Sequence, residues 1–196
     1  MYKKPMSLSM KSIITLMFWL VLFSFSAAAE QKVQTDPVTG AKTWGTKVNG
    51  VHFSLTQILP EQLKAFYVNR GFSLEQIKSY TSSCVYMTVL RNDTAPGEIH
   101  YTSNNWTILV NNKRHILVPV SQWVKKLSKT GATKPALIAF RWAQFPPEQS
   151  YEPGGNWNQG MLSIGLSPSS RFDAIAKWDI AGKEFEAKLT GVQCAK

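Results

Sequence analysis

Three histidines, His52, His100 and His115, are the side chains in this 196-residue chain best placed to do acid–base or metal chemistry near neutral pH. None belongs to a close-spaced ligand set such as HxH or HExxH. A metal would need three or four ligands converging from separate segments. If strand pairing brought His100 beside His115, Met87 or Met161 would complete a soft set suited to copper. Separate surface or half-buried histidines are the simpler expectation. Nucleophilic catalysis has less to work with, because there is no GxSxG elbow and no spare cysteine. Glu148, Glu152 and Asp173 are the carboxylates from which a glycosidase pair would be drawn. The first two lie in a Pro/Gly-rich stretch, where carboxylates are ordinarily just solvated. No catalytic signature emerges, and the expectation is a binding protein rather than an enzyme.

Binding chemistry is better represented. The stretch Phe145–Met161 reads FPPEQSYEPGGNWNQGM, too rich in Pro, Gly and Asn to predict regular structure. Trp142, Phe145, Tyr151 and Trp157 are spaced through and just before it. Asn156, Asn158 and Gln159 set amide donors and acceptors beside Trp157. Aromatic rings with side-chain amides are what a sugar ring or an extended peptide uses. This makes a carbohydrate-binding or carbohydrate-active protein one alternative. In the competing reading, the same rings fold back and plug the end of the domain.

Charge is concentrated in the segment just before that stretch. Between Ile99 and Pro147 there is no acid, while Lys113, Arg114, Lys125, Lys126, Lys129, Lys134 and Arg141 are all basic. A one-signed patch attracts anions over about a Debye length, some 8–10 Å at ordinary salt. Lys113, Arg114, Lys125, Lys126 and Lys129 are therefore candidate contacts to an envelope protein, a glycan or an anionic surface. Nucleic acid is the less natural partner for an exported chain. An ordinary solvated helix face is the alternative for the lysines at 125, 126 and 129.

Export is read from Ile13–Ala29, IITLMFWLVLFSFSAAA, an uncharged apolar run behind Lys3, Lys4 and Lys11. A basic start, a short apolar middle and a small-residue end form the layout of a secretory signal peptide. Residues 1–29 are expected to be removed after Ala29, leaving a periplasmic or secreted product. Cys84 and Cys194 then read as one disulfide, as an even pair in an oxidising compartment should.

The elements that must carry these residues are short. Residues 30–42 read as a flexible lead-in, and one domain is expected over 43–196. Asn49-Gly50 predicts a tight hairpin between Thr43–Val48 and Val51–Gln57. Pro60 suits a helix start, and Ser73 with Gln76 makes a capping box for a second helix. Cys84–Leu90 is apolar on both faces, as a central strand should be. Glu98–Thr102 reads as a weak edge strand, and Trp106–Val110 and His115–Val120 flank Asn111-Asn112. Ser121 is expected to cap a third helix. Ala136–Gln144 reads as a long strand with Ile138, Phe140 and Trp142 on one face. Phe172–Ile180 and Lys183–Leu189 alternate strictly around Ala181-Gly182. No internal repeat is visible. The sum is a mainly β chain: an antiparallel β-sandwich of immunoglobulin-like architecture with three short helical excursions, and a closed barrel as the second choice.

Overall fold

The computed structural model describes residues 30–196, so the predicted leader lies outside the described residues. The chain folds as a β-sandwich with four short helices. One sheet has the order β1 (Lys32–Thr35), β2 (Lys42–Val48), β3 (Val51–Gln57), β4 (Val85–Asn92), β9 (Asn156–Ser163). In the other sheet, β10 (Arg171–Ile180) pairs with β11 (Lys183–Gln193) on one side. On its other side lie β5 (Ile99–Thr102) and β6 (Thr107–Val110), end to end across a 3-10 turn at Ser103–Asn105. Strands β8 (Glu148–Tyr151) and β7 (Lys113–His115) continue that sheet outward from β5 and β6 respectively. All of these strand ladders are antiparallel, and none joins the two sheets among the described residues, so the sandwich stays open rather than closing into a barrel.

The first hairpin forms for the predicted reason. Asn49 and Gly50 both take positive φ, 47° and 81°, the conformation a two-residue hairpin turn requires. Gly50 is needed twice over, since a Cβ there would lie 2.4 Å from the backbone of Thr94 and Ala95. Val51, Phe53 and Leu55 then face inward, opposite Trp178, Phe172 and Trp106 in one continuous core between the sheets. Cutting a buried ring such as Trp178 back to alanine costs about 3–5 kcal/mol in such a core. Cys84, just before β4, is disulfide-bonded to Cys194, just after β11, with 5.2 Å between the Cα atoms. The bond ties one sheet to the other. Closing a loop with a sequence separation of 110 contributes roughly 4–5 kcal/mol in the chain-entropy model.

The four helices form a second, smaller core on the outer face of the first sheet. They are α1 (Pro60–Val68), α2 (Leu74–Thr81), α3 (Val120–Ser128) and α4 (Lys134–Trp142). Tyr67, Tyr80, Trp123, Leu127 and Phe140 pack there against Val85 of β4 and Met161 of β9. At its centre Gln144 accepts a hydrogen bond from the Tyr80 hydroxyl (2.9 Å) and donates to the Tyr67 hydroxyl (2.8 Å) and the Phe140 carbonyl (3.0 Å). The Tyr67 hydroxyl in turn donates to the Met161 sulfur.

Several expectations are corrected. Residues 136–142 of the expected strand 136–144 are helical, with Ala143 as the cap and Gln144 in a lone bridge to Met161, which makes four helices rather than three. Thr133 caps α4 by accepting from the Ala136 N–H, and Pro135 occupies its first turn, both of which favour a helix start. The core then takes Ala136 and Phe140, four apart, while Ile138 and Trp142 point away. Helix α3 begins at Val120 after Pro119, with no side-chain cap, so Ser121 lies inside it. β5 is not an edge, since His100 pairs with both Asp179 and Ser150. Residues 32–35 of the lead-in form β1 on β2. The Pro/Gly stretch holds β8 and β9, bent apart at Glu152–Gly155.

The structure also shows a repeat that the sequence hides. A β-hairpin turned at Asn49-Gly50 leads to the pair α1–α2, and one turned at Asn111-Asn112 leads to α3–α4. In each pair the helices are separated by a glycine with positive φ, Gly71 or Gly131. In each, the second helix is capped by a hydroxyl side chain, Ser73 or Thr133.

Candidate functional site

A broad open feature lies where the α3–α4 hairpin meets the sheets. Two grooves, of about 740 and 730 Å³, share Arg141, Gln144 and Pro146. The first runs between the last turn of α4 (Ile138, Trp142), Gln149 of β8, and Asn158 and Gln159 of β9. The second runs along the N-terminal half of α3 and the Ser103–Asn104 turn, with Lys125 on its wall. Among the described residues no carboxylate lines either groove. Arg141 thus stands at the junction of a cationic, amide-lined cleft. Trp142 beside it is 86% exposed, an unusual fate for the largest apolar side chain.

This geometry divides the aromatic set. Trp142 and Trp157 are at the surface, Trp157 at 48% exposure. Phe145 and Tyr151 are core residues: Phe145 stacks on Tyr101 with ring centroids 5.4 Å apart, and the Tyr151 hydroxyl meets that of Tyr101 at 3.2 Å. Both rings are almost wholly buried, and Phe145 also borders the second groove. Asn158 lines the first groove, while Asn156 sits at the start of β9.

The basic segment is divided too. Lys125 and Arg141 share the second groove. Lys126 lies over the Trp123 ring, 5.1 Å from its centroid, in a separate hollow with Ser79 and Ser82. Lys129 is exposed at the end of α3. Lys113 and Arg114 are on β7, in the other sheet, two strands from the Lys177 strand β10 by way of β6. Lys177 is itself paired with Glu184 (2.6 Å) and Glu186 (3.9 Å). The run of seven bases in sequence is therefore not one patch in space.

The copper set does not assemble. Along β10, His100 is opposite Asp179, whereas His115 pairs with Ile108, which is opposite Ala174. Five residues of strand separate the two rows, roughly 16 Å. His100 faces Glu148 at 3.2 Å and Ser150 at 3.2 Å; His115 is 3.0 Å from the Ile164 carbonyl. Met161 is buried against Tyr67, with Met87 opposite it on β4. Among the described residues no three His, Cys, Asp or Glu side chains converge on a metal position. The carboxylates considered for glycoside hydrolysis are equally dispersed. Glu148 meets His100, and Asp173 holds Lys188 at 3.0 Å and the Gly191 N–H at 2.9 Å.

A second region carries no signature in the sequence. The outer face of the first sheet is bare where the helices do not reach, and a hollow of about 520 Å³ opens there. Lys47, His52 and Arg91 line it in one cross-strand row that continues to Trp157 on β9. Asp93 bonds both Arg91 and Lys47, which holds its carboxyl below the usual carboxylate range, chiefly through the Arg91 hydrogen bond. Burial, seconded by Arg91, holds the His52 imidazole below its ordinary value. The alternation of β3 placed His52 on this polar face, but only strand order brings Arg91 beside it.

Among the cleft residues, sequence reading counted Arg141 as charge alone and missed Ile138, Gln144 and Gln149. The one available signal was Thr133-Lys134-Pro135-Ala136, a helix start that would have turned Arg141 and Trp142 outward together. Compared with known proteins, the chain matches no family model, no curated sequence and no solved structure.

Proposed function

We propose that this chain is an exported, non-enzymatic binding or accessory protein of the bacterial envelope, periplasmic or secreted. It engages an anionic glycan or peptide partner through the cleft around Arg141 and Trp142. The observation that carries the reading is that cleft: two grooves joined at a guanidinium, with no acid among the described residues on their walls, beside an indole left in solvent. Arg141 supplies a planar, bidentate grip on a carboxylate or phosphate. Trp142 supplies a flat apolar face, and Asn158, Gln159 and Gln149 supply amides for hydroxyls or peptide groups. The leader and the intersheet disulfide support export, since such bonds persist in oxidising compartments. No helix among the described residues is long and apolar enough to cross a membrane.

The test is retention of the purified domain on carboxylated and neutral supports of glycan and peptide. Arg141→Ala and Trp142→Ala should each lower retention at least tenfold with an unchanged melting temperature, and retention should fall with salt. Equal retention of both variants would falsify the cleft reading.

A further inference from the structure

The geometry of β9 points to the form of the partner. At Met161 the N–H donates to the Ala143 carbonyl (2.8 Å) and the carbonyl accepts from the Phe145 N–H (2.9 Å), both outside the β4 ladder. In an antiparallel ladder the backbone groups of alternate residues point to the same side. Since Met161 points away from β4, Gln159 and Trp157 must do so too. On the side away from β4, among the described residues, their N–H and C=O groups have no hydrogen-bond partner. The segment that pairs at Met161 turns up into α4, so the free edge from Trp157 to Gln159 lies under that helix's last turn and along the first groove.

Edge strands are normally blunted by charge or proline. The exposed strands β1, β7, β8 and β11 all carry Lys, Arg or Glu. β9, with the sequence NWNQGMLS, has no charge and no proline. It is the unguarded edge, and it borders the cleft that holds Arg141.

We infer that the cleft takes an extended acidic peptide segment, which adds as a strand to β9 at Trp157–Gln159 and places a carboxylate on Arg141. This rests on the cleft reading above and narrows it. Main-chain pairing supplies two donors and two acceptors. Arg141 selects for the acid, and Ile138 and Trp142 cover an apolar residue at an alternate position. A second copy of this chain is the poorer occupant, because another β9 would bring no acid to Arg141.

The experiment is an array of synthetic octapeptides with Glu or Asp at every second position and each apolar residue between, measured against the 30–196 domain by fluorescence anisotropy. A duplicate array is N-methylated at alternate residues, and an oligogalacturonate serves as the glycan probe. Binding peptides should lose at least tenfold affinity on N-methylation in one of the two registers and on Arg141→Ala. Gln159→Pro should cost as much, because it deletes an outward N–H while leaving every bond to β4 in place, and an edge strand tolerates it. Its thermal melt checks that it folds. Amide exchange at Trp157 and Gln159 should slow on peptide binding. Peptides indifferent to N-methylation and to Gln159→Pro overturn strand addition. Arg141-dependent binding of oligogalacturonate with no peptide bound overturns this inference and leaves the cleft reading intact. Failure of every probe overturns both.

Discussion

The two helical hairpins differ where their shared architecture does not require them to agree. α1–α2 and α3–α4 each follow a hairpin turned at asparagine, reverse at a positive-φ glycine and cap the second helix with a hydroxyl. Together they build one aromatic core, in which Tyr67 and Tyr80 of the first pair meet Phe140 of the second at 5.4 and 4.9 Å. Over Pro60–Thr81 the chain carries three bases and two acids, and each helix opens with an acid in its first turn, Glu61 or Glu75. This suits the positive end of a helix dipole. Over Val120–Trp142 there are five bases and no acid, and no acid lies in either first turn. The second pair gives up this local stabilisation, and it is the pair whose outer surface forms the cleft. Its inward faces obey the same packing constraints as the first pair's; its outward face is free to serve a partner.

Mutations along α4 test that division most sharply. Phe140→Ala should destabilise by about 3–5 kcal/mol, since the ring is fully buried between the two hairpins. Equilibrium urea unfolding gives the value. Gln144→Leu comes next, at about 2–3 kcal/mol, because it strands the buried Tyr80 hydroxyl and removes the amide donor to that of Tyr67. A near-neutral result would mean the two hairpins are not joined through that amide. The caps should behave alike, with Ser73→Ala and Thr133→Ala each costing about 1 kcal/mol. A large inequality would show that one pair leans on its local signals more than the other. Ile138→Ala and Trp142→Ala should stay within about 0.5 kcal/mol, as exposed positions do. If Trp142→Ala instead unfolds the domain, the outward face is structural.

The smallest effect belongs to the bare half of the first sheet. The folded His52 value lies below its ordinary 6.5. Its contribution is therefore complete above that pH and is lost as pH falls through the window beneath it. His52→Gln should flatten the melting temperature between about pH 7 and pH 5. An unchanged slope would place the acid sensitivity elsewhere.

Much of this architecture can be read locally. Asn49-Gly50 states its turn, Ser73 and Gln76 state a helix start, and the strict alternation of Phe172–Ile180 states an inward face; each rests on neighbours a few residues apart. The segment Ala136–Trp142 is different. Its apolar residues satisfy a period of two through Ile138, Phe140 and Trp142, and a helical period through Ala136 and Phe140. Length does not choose between them. Only the core already made by Tyr67, Tyr80 and Trp123 decides which face turns inward. The repeat is hidden in the sequence because its two halves share turn chemistry and spacing rather than residue identity.

By itself the sequence determined the strand-rich class, the first hairpin, the capped second helix and the cysteine pair, because each follows from short-range conformational preference or simple arithmetic. Tertiary structure alone decided that Arg141 and Trp142 share a cleft with Asn158 and Gln149, and that the seven bases scatter. Those outcomes depend on which helix face meets the sheet and which strands become neighbours, and both are set by burial summed over the whole core.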